Sequence, residues 1–180
     1  MAINKNSTGY TIRFSVALVA ICGSLLALLA TSLKEPQQKN VANEKRQFIL
    51  SAAGFAPMDS LKKLEKADIE KIFTESVTSN VYNYEGNPIE GENAFTIDIV
   101  KEYKSTKNEP KKRKYPVFTY INGSDTSYVI PMAGNGLWGP VWGFAALGAD
   151  QNTITGIVFD HKSETPGLGA KIAEKSFMEM

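Results

Sequence analysis

Two short segments carry residue types and spacings from which a ligand site can be built. The first runs Gly134-Asn-Gly-Leu-Trp-Gly-Pro-Val-Trp-Gly143. Its glycines let a backbone approach a flat ligand closely, and Trp138 and Trp142 offer broad faces against which either a ring system or the core can pack. The second, His161-Lys-Ser-Glu-Thr-Pro-Gly-Leu-Gly169, directly follows a strand-like run. Pro166-Gly167 suits the central pair of a type II turn. Leu168, Gly169 and Ala170 would then present backbone N–H groups where a helix over 171–177 begins, an acceptor-binding corner able to hold ring carbonyls or an anion without a charged side chain.

Other chemistry fits these residues poorly. Gly134, Gly136 and Gly139 spell G-x-G-x-x-G, but a dinucleotide fingerprint needs a helix opening at the third glycine, and Pro140 follows at once. His161 and Glu164 have the spacing of metal ligands on a helix, yet Pro166 and Gly167 argue against a helix there and His161 is the only histidine. We therefore expect no metal site. A serine nucleophile would need His161 as its base, and no acid is in evidence to orient it. His161 and Glu164 are better suited to fixing the loop by hydrogen bonds.

Around these segments the chain must supply a scaffold. Its 180 residues suffice for an anchor and one domain with a single core. A net charge of +1, spread along the chain, gives no electrostatic footprint for nucleic acid. The basic run Lys111 to Lys114 reads as a solvated loop or hairpin between strands. Cys22 is the only cysteine, which excludes an intrachain disulfide.

From Phe14 to Leu33 there is no charged residue, and as a helix this stretch reaches about 30 Å, the thickness of the hydrocarbon core of a bilayer. A cleaved signal peptide competes with an anchor, but its apolar region usually spans only about 7–15 residues. A buried core helix fits less well, because the stretch is apolar all round. Lys5 and Arg13 precede it and Lys34, Lys39, Lys45 and Arg46 follow it, a balance that leaves orientation open and leans toward a cytoplasmic domain. Residues 34–53 read as a helical stalk ending near Gly54. A stripe of Leu61, Leu64, Ile69, Ile72 and Phe73 predicts further core-facing helix, with Asp68 capping a second short segment.

From Val81 the period alternates. Phe95, Ile97 and Ile99, then Val117, Thr119 and Ile121, then Tyr128–Met132 and Thr153–Asp160, the last two separated by the Gly- and Trp-rich stretch from Gly134 to Gly143, predict strands. The expected fold is α+β with a mostly antiparallel sheet: tail 1–13, transmembrane helix 14–33, stalk and first helices 34–80, and a ligand-binding domain 81–180.

Taken together, the Gly134-x-Gly-Leu-Trp138 and Gly143-Phe144 elements, the Glu164-Thr-Pro-Gly-Leu-Gly169 corner and the single N-terminal span resemble the FMN-binding domain family of respiratory electron-transfer complexes. Within it they are most similar to the C subunits of the sodium-translocating NADH:quinone oxidoreductases. The G subunits of Rnf complexes share the corner but generally lack Gly-Leu-Trp. The resemblance implies an FMN cofactor that relays electrons from NADH toward ubiquinone or menaquinone, a bacterial inner-membrane location with the large domain periplasmic, and partners among the membrane and flavoprotein subunits of the complex. It implies cofactor-binding roles for Gly136, Leu137, Trp138 and Gly139 on one side. On the other it implies His161, Glu164, Thr165, Pro166, Gly167, Leu168 and Gly169. Family members attach the FMN phosphate to a threonine in a Ser-Gly-Ala-Thr element downstream of the corner. No such element occurs before Met180, so we expect either a fragment or a flavin held without a covalent bond. The alternatives are the G subunit of an Rnf-type electron transport complex, a membrane-tethered flavin-domain sensory module and a cofactor-free assembly protein.

Overall fold

A computed structural model describes residues 7–178. Lys5, in the expected tail, lies outside that range. The chain divides into two compact units, Met1–Ala42 and Asn43–Met180. Helix α1 (Thr8–Ala52) carries the apolar run without interruption, and Pro36 lies inside it. It is long and apolar enough to cross a membrane. Phe14, Val16, Val19, Leu25 and Leu28 are exposed on it. The hydroxyls of Thr31 and Ser32 donate to the Ala27 and Leu29 carbonyls, so these polar groups are satisfied within the helix, as a lipid environment would demand.

The end of α1 is sharply defined. Gly54, at φ +86°, donates to the Ser51 carbonyl while Phe55 donates to that of Leu50, the paired bonds of a Schellman stop that favours glycine at the left-handed position. The last turns of α1 are apolar, and Ile49, Leu50, Ala52 and Ala53 are buried. Helices α2 (Met58–Leu61) and α3 (Lys66–Ser76) follow, with Leu61 and Ile69 in the core. Asp68 lies in the first turn of α3 rather than capping it, a place held by Glu65, and Leu64 is exposed.

The rest is an antiparallel meander in the order β1-β2-β3-β4-β5: β1 (Val77–Tyr82), β2 (Tyr115–Asn122), β3 (Asp125–Asn135), β4 (Pro140–Leu147) and β5 (Ile154–His161). The α+β expectation therefore holds. Alternation sorts the sheet's faces: Val77, Val81, Phe118, Tyr120, Val129, Phe144, Ala146 and Val158 belong to one buried cluster with the end of α1. Phe48 stacks on Phe144 at 6.1 Å. Gly123, at φ +62°, is the first central residue of the β2–β3 turn, where a two-residue hairpin loop requires a left-handed conformation.

Two expectations are corrected. The alternation of Phe95, Ile97 and Ile99 does not make a strand. Asn93 Oδ1 accepts the Phe95 N–H, and Asp98 Oδ1 accepts those of Val100 and Lys101. These side chains offer the backbone a local alternative to strand pairing, giving a 3-10 turn (Ala94–Thr96) and helix α4 (Ile99–Ser105). The stretch from Gly134 to Gly143 is not a spacer between strands; β3 runs to Asn135, β4 begins at Pro140, and the two residues pair. The basic run forms a 3-10 turn (Pro110–Lys112) leading into β2, with Lys112 paired to Glu109 and Lys114 to Glu92.

Lys45 ties α1 to the segment before α4. Its Nζ donates to the Phe95 and Ile97 carbonyls at 2.7 and 3.0 Å and lies over the rings of Phe95 and Phe118. Burial pushes its ammonium down to about 8, against the pull of Asp98. The unfolded chain therefore binds more protons between about pH 8 and the ordinary lysine value of 10.5, and this group makes stability rise with pH across that window. Lys45→Met removes the titration. Wild type should gain on this variant in urea unfolding as pH climbs from 8 to 10.5, and the difference should be flat below 8; a constant difference throughout would contradict the assignment. A Cβ added at Gly156 would collide with the Ala52 carbonyl. Gly156→Ala should therefore cost about 1–3 kcal/mol, as overpacking does, measured by the shift in unfolding midpoint.

Candidate functional site

Both segments singled out from the sequence lie at the same end of the β4–β5 pair. The β3–β4 connection, residues 136–139, is a tight loop closed by the Gly136 N–H on the Gly139 carbonyl at 2.7 Å. After β5, the Lys162 N–H donates to the Pro140 carbonyl at 3.1 Å, which carries the ladder one step past His161 and sets residues 163–164 beside that loop. The Trp138 peptide is then held at both of its polar groups: its N–H donates to Glu164 Oε1 and its carbonyl accepts from the Ser163 hydroxyl, both at 2.9 Å.

Glu164 is the buried member of this contact, at 8% exposure. Its own N–H donates to His161 Nδ1 at 3.3 Å, so the neutral imidazole must carry its proton on Nε2. The Asp160 carboxylate accepts the His161 N–H at 2.7 Å.

The corner is a turn in which the Leu168 N–H donates to the Thr165 carbonyl at 3.1 Å, with Gly167 at φ +76°, the positive angle that the third residue of a type II turn needs. It continues into a 3-10 helix (Gly169–Ala173) and the short α5 (Lys175–Met178), not the α-helix over 171–177 expected from the sequence. That difference changes the donors. The N–H groups of Leu168 and Ala170 both bond the Thr165 carbonyl and are not available to a ligand. Among the described residues, those of Gly167 and Gly169 have no such internal acceptor.

What the two loops present is apolar. Leu137, Trp138 and Leu168 are 84%, 67% and 73% exposed, although their backbones are tightly held. Large exposed apolar side chains on ordered loops are the mark of a surface built to be covered. Trp142 lies on β4 and is half-buried. Thr165 and Pro166 are exposed at the corner. No group of histidine, cysteine, aspartate and glutamate suited to a metal ion occurs among the described residues. Sequence reasoning missed Ser163, whose hydroxyl spacing from Trp138 is visible only once β4 and β5 are paired.

Both loops fall within residues 136–179, which match the FMN-binding domain family. Across almost its full length the chain is similar to proteins named as the C subunit of Na(+)-translocating NADH-quinone reductase. The Haemophilus ducreyi protein is 31% identical, with 97% of this chain and 72% of the relative aligned. That of Vibrio parahaemolyticus is 29% identical, with 98% and 72% aligned. The crystal structure of the C subunit from Parabacteroides distasonis superposes with a TM-score of 0.68 at 34% identity, over 82% of this chain and 67% of that one. The chain belongs to the family formed by the C subunits of the Na(+)-translocating NADH-quinone reductases.

Replacing Gly167 tests the corner directly. Gly167→Ala forces a side chain into the left-handed region, and should cost about 1–2 kcal/mol, with faster amide exchange at Leu168 and Ala170 as their shared acceptor shifts.

Proposed function

We propose that this chain is the FMN-bearing electron-transfer subunit of a sodium-pumping NADH:quinone oxidoreductase, taking electrons that originate from NADH and passing them toward ubiquinone or menaquinone. The observation that carries this reading is the ledge of Leu137, Trp138 and Leu168, exposed on loops whose backbones are fixed. In this role residues 14–33 anchor the chain in a bacterial inner membrane, residues 34–80 form the stalk and first helices, and residues 81–180 form the flavin domain on the periplasmic side. Its partners are the other membrane and flavoprotein subunits of the complex.

When bound, the flavin supplies the redox chemistry, accepting and releasing electrons through its ring system. The chain's residues do the holding. Trp138, Leu137 and Leu168 cover the apolar part of the ring and keep water from it. Gly167 and Gly169 offer N–H groups to its polar edge, and the Thr165 hydroxyl adds a donor at the same corner. His161, Glu164 and Pro166 shape the loop that carries them, and Gly136 and Gly139 bring the opposing loop close. By their chemistry these residues suit the ring of a flavin, to which they offer planar apolar contact and neutral donors.

The complete protein, purified under native conditions, should carry flavin absorbance and flavin fluorescence. Trp138→Ala should keep the flavin but brighten its fluorescence, because the indole that quenches it by contact is gone. A colourless polypeptide, or unchanged emission from the variant, would count against the site as drawn.

A further inference from the structure

The glycines beside the corner answer to Glu164. A Cβ built on Gly169 meets three atoms, all belonging to Glu164: Oε2 at 2.5 Å, Cβ at 3.1 Å and Cδ at 3.3 Å. One built on Gly136 would collide with Glu164 Oε1 and lie 2.9 Å from both its Cδ and the Gly139 carbonyl. The carboxylate thus fills the gap between the loop 136–139 and the corner 165–169, with one oxygen against each. It is also bound, since Oε1 accepts the Trp138 N–H. Two glycines that read from the sequence as room for a flat ligand are instead room for a side chain.

We propose that Glu164 is a positioning residue: its buried carboxylate sets the spacing of the two loops and, through the Trp138 amide, the placement of the apolar ledge. A carboxylate suits the task because a charged acceptor holds an N–H about twice as strongly as a neutral one. Its charge has a second consequence, which rests on the flavin reading above. A fixed negative charge behind the ledge raises the cost of adding electrons to a ring bound there, so it holds the flavin's midpoint potential lower than a neutral residue would.

The test is a set of variants in the complete protein. In hydrogen exchange, Glu164→Ala should speed exchange of the Trp138 amide by about tenfold or more, the loss of one charge-assisted bond. Glu164→Gln, which keeps an acceptor at Oε1, should restore most of that protection. Gly169→Ala should mimic Glu164→Ala when made alone, because its Cβ displaces the carboxylate, and should cost clearly less in the Glu164→Ala background, where the 2.5 Å collision with Oε2 is gone and only the 3.1 Å approach to Cβ remains. In the flavin-loaded protein, Glu164→Gln should raise the midpoint potential. Equal costs of Gly169→Ala in both backgrounds, no recovery with glutamine, or an unaltered potential would each overturn the proposal. Wild-type protein without flavin would instead overturn the function proposed above, and the exchange measurements would then decide the positioning role by themselves.

Discussion

The grip on the Trp138 peptide organises the ligand-facing end of this fold. Consecutive side chains, Ser163 and Glu164, take its carbonyl and its N–H, and they can do so only because β4 and β5 are paired up to Val141 and His161. An exposed tryptophan on a free loop would sample many positions or turn inward. Here the backbone is fixed, so whatever covers the exposed indole has only the side chain left to order. The sheet's register, the tight loop at Gly136 and the corner at Pro166 all serve that one arrangement.

The other end of the domain is governed by a different constraint. The apolar last turns of α1 close the buried face of the sheet, and the Schellman stop at Gly54 turns the chain away as soon as that surface is spent. Lys45 and Arg46 lie just before this packing. Each rests over the Phe95 ring, and Arg46 also pairs with Glu70. Charged residues are thus used as covers for aromatic surface, their stems packing where their heads reach backbone or carboxylate partners.

Much of this was legible in the residues. The uncharged run of α1, the strands β2, β3 and β5 and the turn at Pro166-Gly167 all follow from composition and period. β4 was obscured because Gly134 to Gly143 is rich in glycine and tryptophan, which reads as irregular chain, whereas the pairing of Asn135 with Pro140 makes it the rim of a hairpin. The alternating Phe95, Ile97 and Ile99 misled for the opposite reason: the period was right for a strand, but Asn93 and Asp98 supply their own acceptors. The purpose of Gly136 and Gly169 could not be read at all from spacing, because the group that needs them lies in another loop or five residues away. A glycine records that something comes close. It does not record what.

The close approach of Gly156 to the Ala52 carbonyl joins residues roughly a hundred positions apart, whereas the strands between them pair only with their neighbours in sequence. Synthesis therefore delivers the two halves of this contact at very different times. The hairpins from β2 to β5 can form one after another as the chain leaves the ribosome, each closing a short loop. The apolar turns around Ile49 and Leu50 must wait for β5 before their partner surface is complete. Throughout that interval they are the stretch of the nascent domain most in need of shielding from other chains.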